Sequence, residues 1–444
     1  MTLPVRNLAL FAIVFGLIIS VGLTESWNLA LYIVNMGLIS AIMALGVNMQ
    51  WGYAGLFNIG VMGFVALGGL GTVLIAMPPV GEAWAAGGLR MMGALLVGAA
   101  TIIGAVLAWR RLAKGPARVL ILLAILIVGF VAYRTLFDPA RDAIEAINPA
   151  LAGNLGGLNI FASEASDAGW MTIVAWPIGA LLAAGAAWIV GKTALGLRSD
   201  YLAIATLGIA EIIIAVLKNE DWLARGVKNI IGVPRPVPYE IDLQNDPAFV
   251  ERAAALGADP VIASTITVKL GYTVLFTIVL LIVLWLAQAA LNSPWGRMMR
   301  AIRDNETAAE AMGKDVTARH LQIFILGSAV CGLAGAMMTT LDGQLTPGSY
   351  QPLRFTFLVW VMVIVGGSGN NFGAILGGFL IWYLWVMMEP YGTVLLEFVT
   401  AGLPEGSGLK EHLLDGAAYM RLLTMGVVLL LVLRFSPRGL IPEK

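Results

Sequence analysis

Charge is what this chain has least of. Only 12% of its 444 residues are Asp, Glu, Lys or Arg, about half the share found in soluble globular proteins. The 27 basic and 27 acidic residues cancel, so no basic field is available to hold nucleic acid. One cysteine, Cys331, excludes a disulfide framework. The two histidines, His320 and His412, lack metal-ligand spacing. No paired carboxylates and no Ser/His/Asp set mark a catalytic centre. Gly191-Lys192-Thr193 ends like a phosphate-binding loop, but that loop needs a glycine five residues earlier, where Ala186 stands. It also follows an apolar span rather than a strand. The chain is therefore expected to be no enzyme, and to bind no cofactor or metal of its own.

What fills the space is apolar. Hydrophobic residues make up 59% of the chain and the mean hydropathy is +0.86, which identifies a polytopic, all-α integral membrane protein. Apolar segments fall near 8–24, 28–49, 57–77, 89–110, 118–137, 171–190, 202–217, 267–291, 320–340, 354–367, 373–389 and 420–435. A spanning helix takes about 20 residues, so 202–217, 354–367 and 373–389 read as short. Broken or re-entrant helices packed inside protein are expected among them, giving 10–12 helices in one transmembrane domain over residues 1–444. The first run lacks an A-x-A-like site and leads into a second, unlike a cleavable signal peptide.

Lys and Arg bias sets the orientation. Arg110, Arg111, Lys114 and Arg118 fill one loop, Lys192 and Arg198 another, and Arg297, Arg300, Arg303, Lys314 and Arg319 a third. Arg434, Arg438 and Lys444 mark the C-terminus. Twelve crossings place all of these, with Arg6, on one side, expected to be cytoplasmic together with both termini. The opposite loops are 138–170, 218–266 and 390–419. The middle one is long enough to fold over the outer mouth.

One connection is unusually polar. Nine charged residues lie between Ser293 and Arg319, and insertion scales set about 2.5–3.5 kcal/mol against each charge at the bilayer centre. The spacing predicts a cytoplasmic amphipathic helix over 293–319. Ser293 is its expected N-cap with Pro294 at N1. Met298, Ile302, Ala309 and Met312 share one face, and Glu310 with Lys314 forms an i,i+4 pair.

Glycine clusters at Gly52–Gly71 and Gly366–Gly378, each beside Asn (Asn58; Asn370, Asn371), predict close helix packing or helix breaks around a central site. Asn58, Thr206, Glu211 and Asn371 are polar residues in apolar segments and are candidates to line a substrate path. Glu211 reads equally as a helix-end residue paired with Lys218 or a backbone amide. Asp342 and Arg354 flank an outer loop, where they could gate or read a substrate's charge.

Four blocks carry a family resemblance: WGYAGLFNIG from Trp51 to Gly60, GLRSDYLAIATLGIAE from Gly196 to Glu211, PWGRMMRAIRDNETAAEAMG from Pro294 to Gly313, and VGGSG at Val365–Gly369 with PRGLIP at Pro437–Pro442. In this order they resemble the M-type permease subunit of the Liv branched-chain amino-acid ABC transporters. The resemblance spans residues of about 50 to 442, with a less typical stretch near 80–170. It implies a bacterial inner-membrane permease paired with a related second permease, two ATP-binding subunits that hold ATP and Mg, and a periplasmic solute-binding protein. Membrane lipids are the remaining partner.

The resemblance also implies that the charged segment is a coupling helix docked on an ATP-binding subunit through Arg297, Arg300, Arg303, Glu306, Glu310 and Gly313. The general importer motif, Glu-Ala-Ala followed by Gly, is matched in part: Glu306 precedes Thr307-Ala308-Ala309, and Gly313 comes one residue late. A helix lying on the inner leaflet is the competing reading. Two departures bear on substrate. Lys228 stands where the family has a Gly-Gly-Pro-Asn-Gly-Ile-like turn, and Arg354 stands where it has an acid. Both make the outer face more cationic. The implied function is import of branched-chain or related amino acids by alternating access. A urea or short-chain amide permease, and a proton-coupled secondary transporter using Glu211, are the alternatives.

Overall fold

The computed structural model describes residues 5–147, 155–159, 168–197, 199–404 and 407–443. Arg198, Lys444 and the middle of the 138–170 loop lie outside them. Ten helices among the described residues are long and apolar enough to cross a bilayer. They include α1 (Val5–Thr24), α2 (Trp27–Val47) and, after the shorter α3 (Val61–Ala76), α4 (Leu89–Arg111) and α5 (Pro116–Ile147). Next come α6 (Ala168–Ala194), α7 (Ser199–Asn219) and α8 (Pro260–Asn292). The charged connection forms α9 (Pro294–Asp304) and α10 (Glu306–Ala311), followed by α11 (Val316–Asp342), the short α12 (Leu358–Gly366), α13 (Asn371–Thr400) and α14 (Met420–Phe435), the last part of a span that starts at Gly408.

Of the three segments expected to be short, 354–367 is short, as α12 with its 9 residues, and the other two are not. Segment 202–217 extends to the 21 residues of α7 and 373–389 to the 30 of α13, because polar and small residues at their ends continue the helical turns. The short helix not expected is α3, which starts after Gly60 and ends at Ala76, just before Pro78 and Pro79; α12 stops at Gly367, whose φ is +120°.

Helix α2 is apolar all round and sits at the centre of the bundle, packed by α8, α11, α12 and α13. Helices α3, α6 and α11 pack as a trio beside it. Their approach is set by backbone rather than side chains. A Cβ on Gly68 would fall inside the Gly332 carbonyl, and one on Gly335 inside that of Val65. Overpacking costs typically about 1–3 kcal/mol, so Gly335→Val is expected to lower the thermal midpoint in detergent by several degrees. Gly185→Val, whose added Cβ meets open space, is expected to leave it unchanged. Equal midpoints would contradict the crossing.

Two features fix the ends of the bundle. Arg6 donates to the Leu440 carbonyl at 2.6 Å, and the tail pairs with the end of α12 through Leu440 N–H to Val365 O (2.9 Å) and Ile441 N–H to Gly366 O (2.8 Å). Both ends of the described chain therefore share one end of the bundle. At the other end β1 (Ile230–Ile231) pairs antiparallel with β2 (Gln344–Leu345), and Val233 N–H reaches Gly343 O at 3.0 Å. This ribbon ties the 218–266 loop to the turn after α11. The α4–α5 hairpin stands apart with its own small core around Met91, Phe137 and Ile144.

Candidate coupling surface and substrate path

The charged connection is two helices, not one. Pro294 occupies N1 of α9, but the Ser293 hydroxyl donates back to Ala290 O at 2.6 Å and does not cap. Asn305 leaves the helical region with φ −156° and ψ 97°, and caps α10 by accepting from Ala308 N–H at 2.9 Å. Gly313 then takes φ +75°. Its N–H reaches Glu310 O at 2.8 Å and Lys314 N–H reaches Ala309 O at 3.1 Å, the paired bonds of a Schellman termination. Gly313 is thus the residue that ends α10, by conformation rather than contact. Helix α10 stops before Lys314, so the expected Glu310–Lys314 pair is not formed.

The break also divides the expected apolar face. In α9 the residues that bury are Gly296, Met299 and Ile302, with Met298 at the margin. Helix α10 buries none of its residues, and Met312 at its end is 79% exposed. Arg297 and Glu306 are exposed, as is Glu310, while Arg300 is partly covered.

Arg303 points the other way. Its guanidinium donates to the Gly52 carbonyl and, at 2.9 Å, to Glu443 Oε2, while Nε reaches Asp304 Oδ1 at 3.1 Å. Burial opposes the positive charge, but the hydrogen bonds and charges of Glu443 and Asp304 prevail and raise its pKa. Beside it, burial with the Glu443 charge pushes the Tyr53 hydroxyl up to about 12, so it stays neutral. Within this chain Arg303 ties α9 to the end of α2 and to the tail.

Gly52 opens the first chain break. After α2 the helix loosens into a wide turn over Asn48–Gly52, and residues 55–60 are irregular until α3 begins. Irregular backbone survives inside a membrane protein only where protein satisfies it, and here four helices do so. Asn58 Nδ2 donates to Gln50 Oε1 at 2.8 Å, and Gln50 Nε2 donates to Phe324 O and Ser328 Oγ of α11 at 2.8 and 3.0 Å. Ile59 N–H reaches Thr206 Oγ1 of α7 at 3.1 Å. Trp360 Nε1 of α12 donates to Asn58 O at 3.0 Å, and Gly60 N–H to Asn58 Oδ1 at 2.8 Å.

The second break is joined to the first. Gly367 and Gly369 adopt φ +120° and +79°, where side chains are strained, and Asn370 caps α13. Gly369 N–H reaches Asn48 Oδ1 at 2.8 Å, and Asn48 Nδ2 donates to Asn371 Oδ1 at 3.0 Å. A Cβ on Gly369 would meet the Glu443 carboxylate. Arg303 therefore contacts both breaks, one directly and one through Glu443.

These contacts sort the four path candidates. Asn58, Thr206 and Asn371 are at most 2% exposed, and they hold the breaks together. Glu211 lies five residues beyond Thr206, about 140° round α7. It is exposed, in a strip with Ile204, Gly208 and Ala215, and forms no ion pair with Lys218 or any other described residue. Sequence reasoning passed over Asn48, Gln50 and Glu443. Asn48 and Gln50 are polar residues at the end of an apolar segment, the same signal that marked Asn58. Gly191-Lys192-Thr193 lies in the last turns of α6, with the Thr193 hydroxyl donating to Val190 O at 2.9 Å.

Against known proteins, a family model described as "Branched-chain amino acid transport system / permease component" matches residues 150–433. The chain belongs to this family. It is 30% identical over 154 residues to the probable branched-chain amino acid transport permease protein LivM of Methanocaldococcus jannaschii, covering 35% of this chain and 41% of that one. It is 29% identical over 212 residues to the high-affinity branched-chain amino acid transport system permease protein LivM of Escherichia coli K12, covering 46% and 48%. It is 28% identical over 104 residues to the probable permease LivH of M. jannaschii, covering 23% and 32%. The chain spans less than half the length of these curated relatives. No solved structure matches. The M-type resemblance and the all-α membrane fold stand. The family match begins after the α4–α5 hairpin, in keeping with the atypical stretch near 80–170.

Proposed function

We propose that this chain is a permease subunit of an ATP-binding-cassette importer of branched-chain or related amino acids in a bacterial inner membrane. A related second permease, two ATP-binding subunits and a periplasmic solute-binding protein complete the assembly. The observation that carries this reading is α10, a helix with no buried residue that projects from the end of the bundle holding both chain ends. That end is assigned to the cytoplasm, and α10 with Arg297 and Arg300 docks on an ATP-binding subunit. The match to LivH as well as LivM supports a paired permease.

Docking becomes transport through Arg303. A shift of α9 pulls on Gly52 and Glu443 together, so both chain breaks feel one motion. The substrate path runs along the outer strip of α7 that carries Glu211, against the second permease. A charge on a lipid-facing surface costs at least about 2.5–3.5 kcal/mol, which protein or water must offset. Asn58, Thr206 and Asn371 set the shape of that wall from behind.

Met312→Asp with Arg300→Glu tests the docking surface. The double variant is expected to insert in the membrane normally and to lose co-purification with the ATP-binding subunit at least tenfold. Full retention of the partner would refute the assignment.

A further inference from the structure

A second set of charges, Asp342 and Arg354, sits at the opposite end, away from α9 and both chain breaks. Between α2, α11 and the turn leading into α12 lies a cavity of about 290 Å³, lined by Tyr32, Asp342, Thr346, Ser349, Arg354 and Phe355 among others. This is at the small end of ligand sites, which start near roughly 300 Å³. Gln344 stands exposed at its rim.

The Arg354 guanidinium is within hydrogen-bond reach of the Tyr32 hydroxyl, and Asp342 is exposed at the mouth of the cavity; neither charge has an opposite charge bonded to it among the described residues. The Arg354 guanidinium carbon lies 5.1 Å from the Phe355 ring centre and 5.4 Å from that of Trp382, within cation–π range of both rings. Its Nε is buried without an acceptor, and so is the Thr346 hydroxyl. Buried polar atoms are seldom left so. Asp342 is within electrostatic reach of Arg354, yet no salt bridge joins them among the described residues. An anion alone would satisfy Arg354 and repel Asp342, and a cation alone would do the reverse. A ligand carrying both charges a few bonds apart satisfies both. Phe355 and Met338 offer apolar wall for the rest of it.

We propose that this cavity binds one amino acid as a zwitterion, its α-carboxylate on Arg354 and its α-ammonium at Asp342. The guanidinium fork suits a carboxylate, and the Thr346 hydroxyl gains a partner. The cavity lies at the end assigned to the outside, so it is a first station for substrate before the path along α7. That placement rests on the importer reading; the binding chemistry does not.

The test uses the full chain in lipid nanodiscs and saturation-transfer NMR. The probes are L-leucine, glycine, L-glutamate and two half-molecules, 4-methylpentanoate and 3-methylbutylamine. Leucine is expected to bind at least tenfold more tightly than either half-molecule. Arg354→Gln is expected to weaken leucine at least tenfold and leave the amine unchanged, whereas Asp342→Asn spares the carboxylate. Lys228→Gln, on the same face but outside the cavity, is expected to change nothing. If Arg354→Gln fails to give a monodisperse protein, Arg354→Lys and Thr346→Val take its place, each with a smaller loss of leucine binding. The proposal is overturned if no zwitterion binds, if the half-molecules bind as well as leucine, or if binding ignores these substitutions.

ATP-driven uptake by the assembled transporter separates the two readings. Leucine uptake with binding that ignores Arg354 and Asp342 sinks the cavity alone. Arg354-dependent binding of glycine or glutamate, without any branched-chain uptake, sinks the substrate reading and keeps the cavity.

Discussion

Arg303→Ala is expected to reduce ATP-driven uptake at least tenfold while the ATP-binding subunit stays attached. The side chain is spent inside the protein, on the Gly52 carbonyl and Glu443, so its loss does not remove a docking group. It removes the link between α9 and the two chain breaks. A hydrogen bond to a charged group contributes about 1.5–3 kcal/mol. Both side chains are 24–31% exposed, and solvent screening places the effect toward the lower end. Glu443→Gln is expected to give a smaller loss, because the Gly52 bond survives. Co-purification and uptake measured on the same preparation check the claim. If Arg303→Ala sheds the ATP-binding subunit, the residue is a docking contact after all.

Gln50→Leu is expected to be the most destabilising single change near the breaks. It strands the buried Asn58 Nδ2 and takes away the donor shared by the Ser328 hydroxyl and the Phe324 carbonyl, at about 1–3 kcal/mol for a group left unsatisfied and less for a helix carbonyl that keeps its intrahelical bond. Asn371→Leu is expected to cost less, since Asn371 Nδ2 has no partner to lose and only Asn48 Nδ2 is stranded. Thermal midpoints in detergent should rank Gln50→Leu below Asn371→Leu, and both below the wild type. The reverse order would mean that the breaks are held by packing rather than by this network.

Composition and the two Gly/Asn clusters located the membrane class and both chain breaks, because a glycine beside a polar residue in an apolar run has few other uses. The shortness of α12 was legible, but the lengths of α7 and α13 were not, since both lengthen through polar ends that hydropathy discounts. The amphipathic face through Met298 and Met312 presumed one continuous helix. Asn305 breaks it, a capping preference visible in the sequence but outweighed by the apparent periodicity. Arg303 looked like its neighbours Arg297 and Arg300. Only the tail, folded back over 140 residues of separation to place Glu443, distinguishes it, and no local pattern encodes that. Glu211 stands out in the sequence as a carboxylate in an apolar run, but the way it faces depends on Thr206 being drawn to the first break.

The central claim is that ATP hydrolysed by a partner subunit moves solute through this chain. Proteoliposomes containing the assembled complex and its binding protein, loaded with ATP on the nucleotide side, test it most directly. Leucine accumulation that requires hydrolysable ATP and is unaffected by collapsing the pH gradient is the expected result. Solute flux through the isolated subunit, driven by a pH gradient without ATP and abolished in Glu211→Gln, would contradict the account.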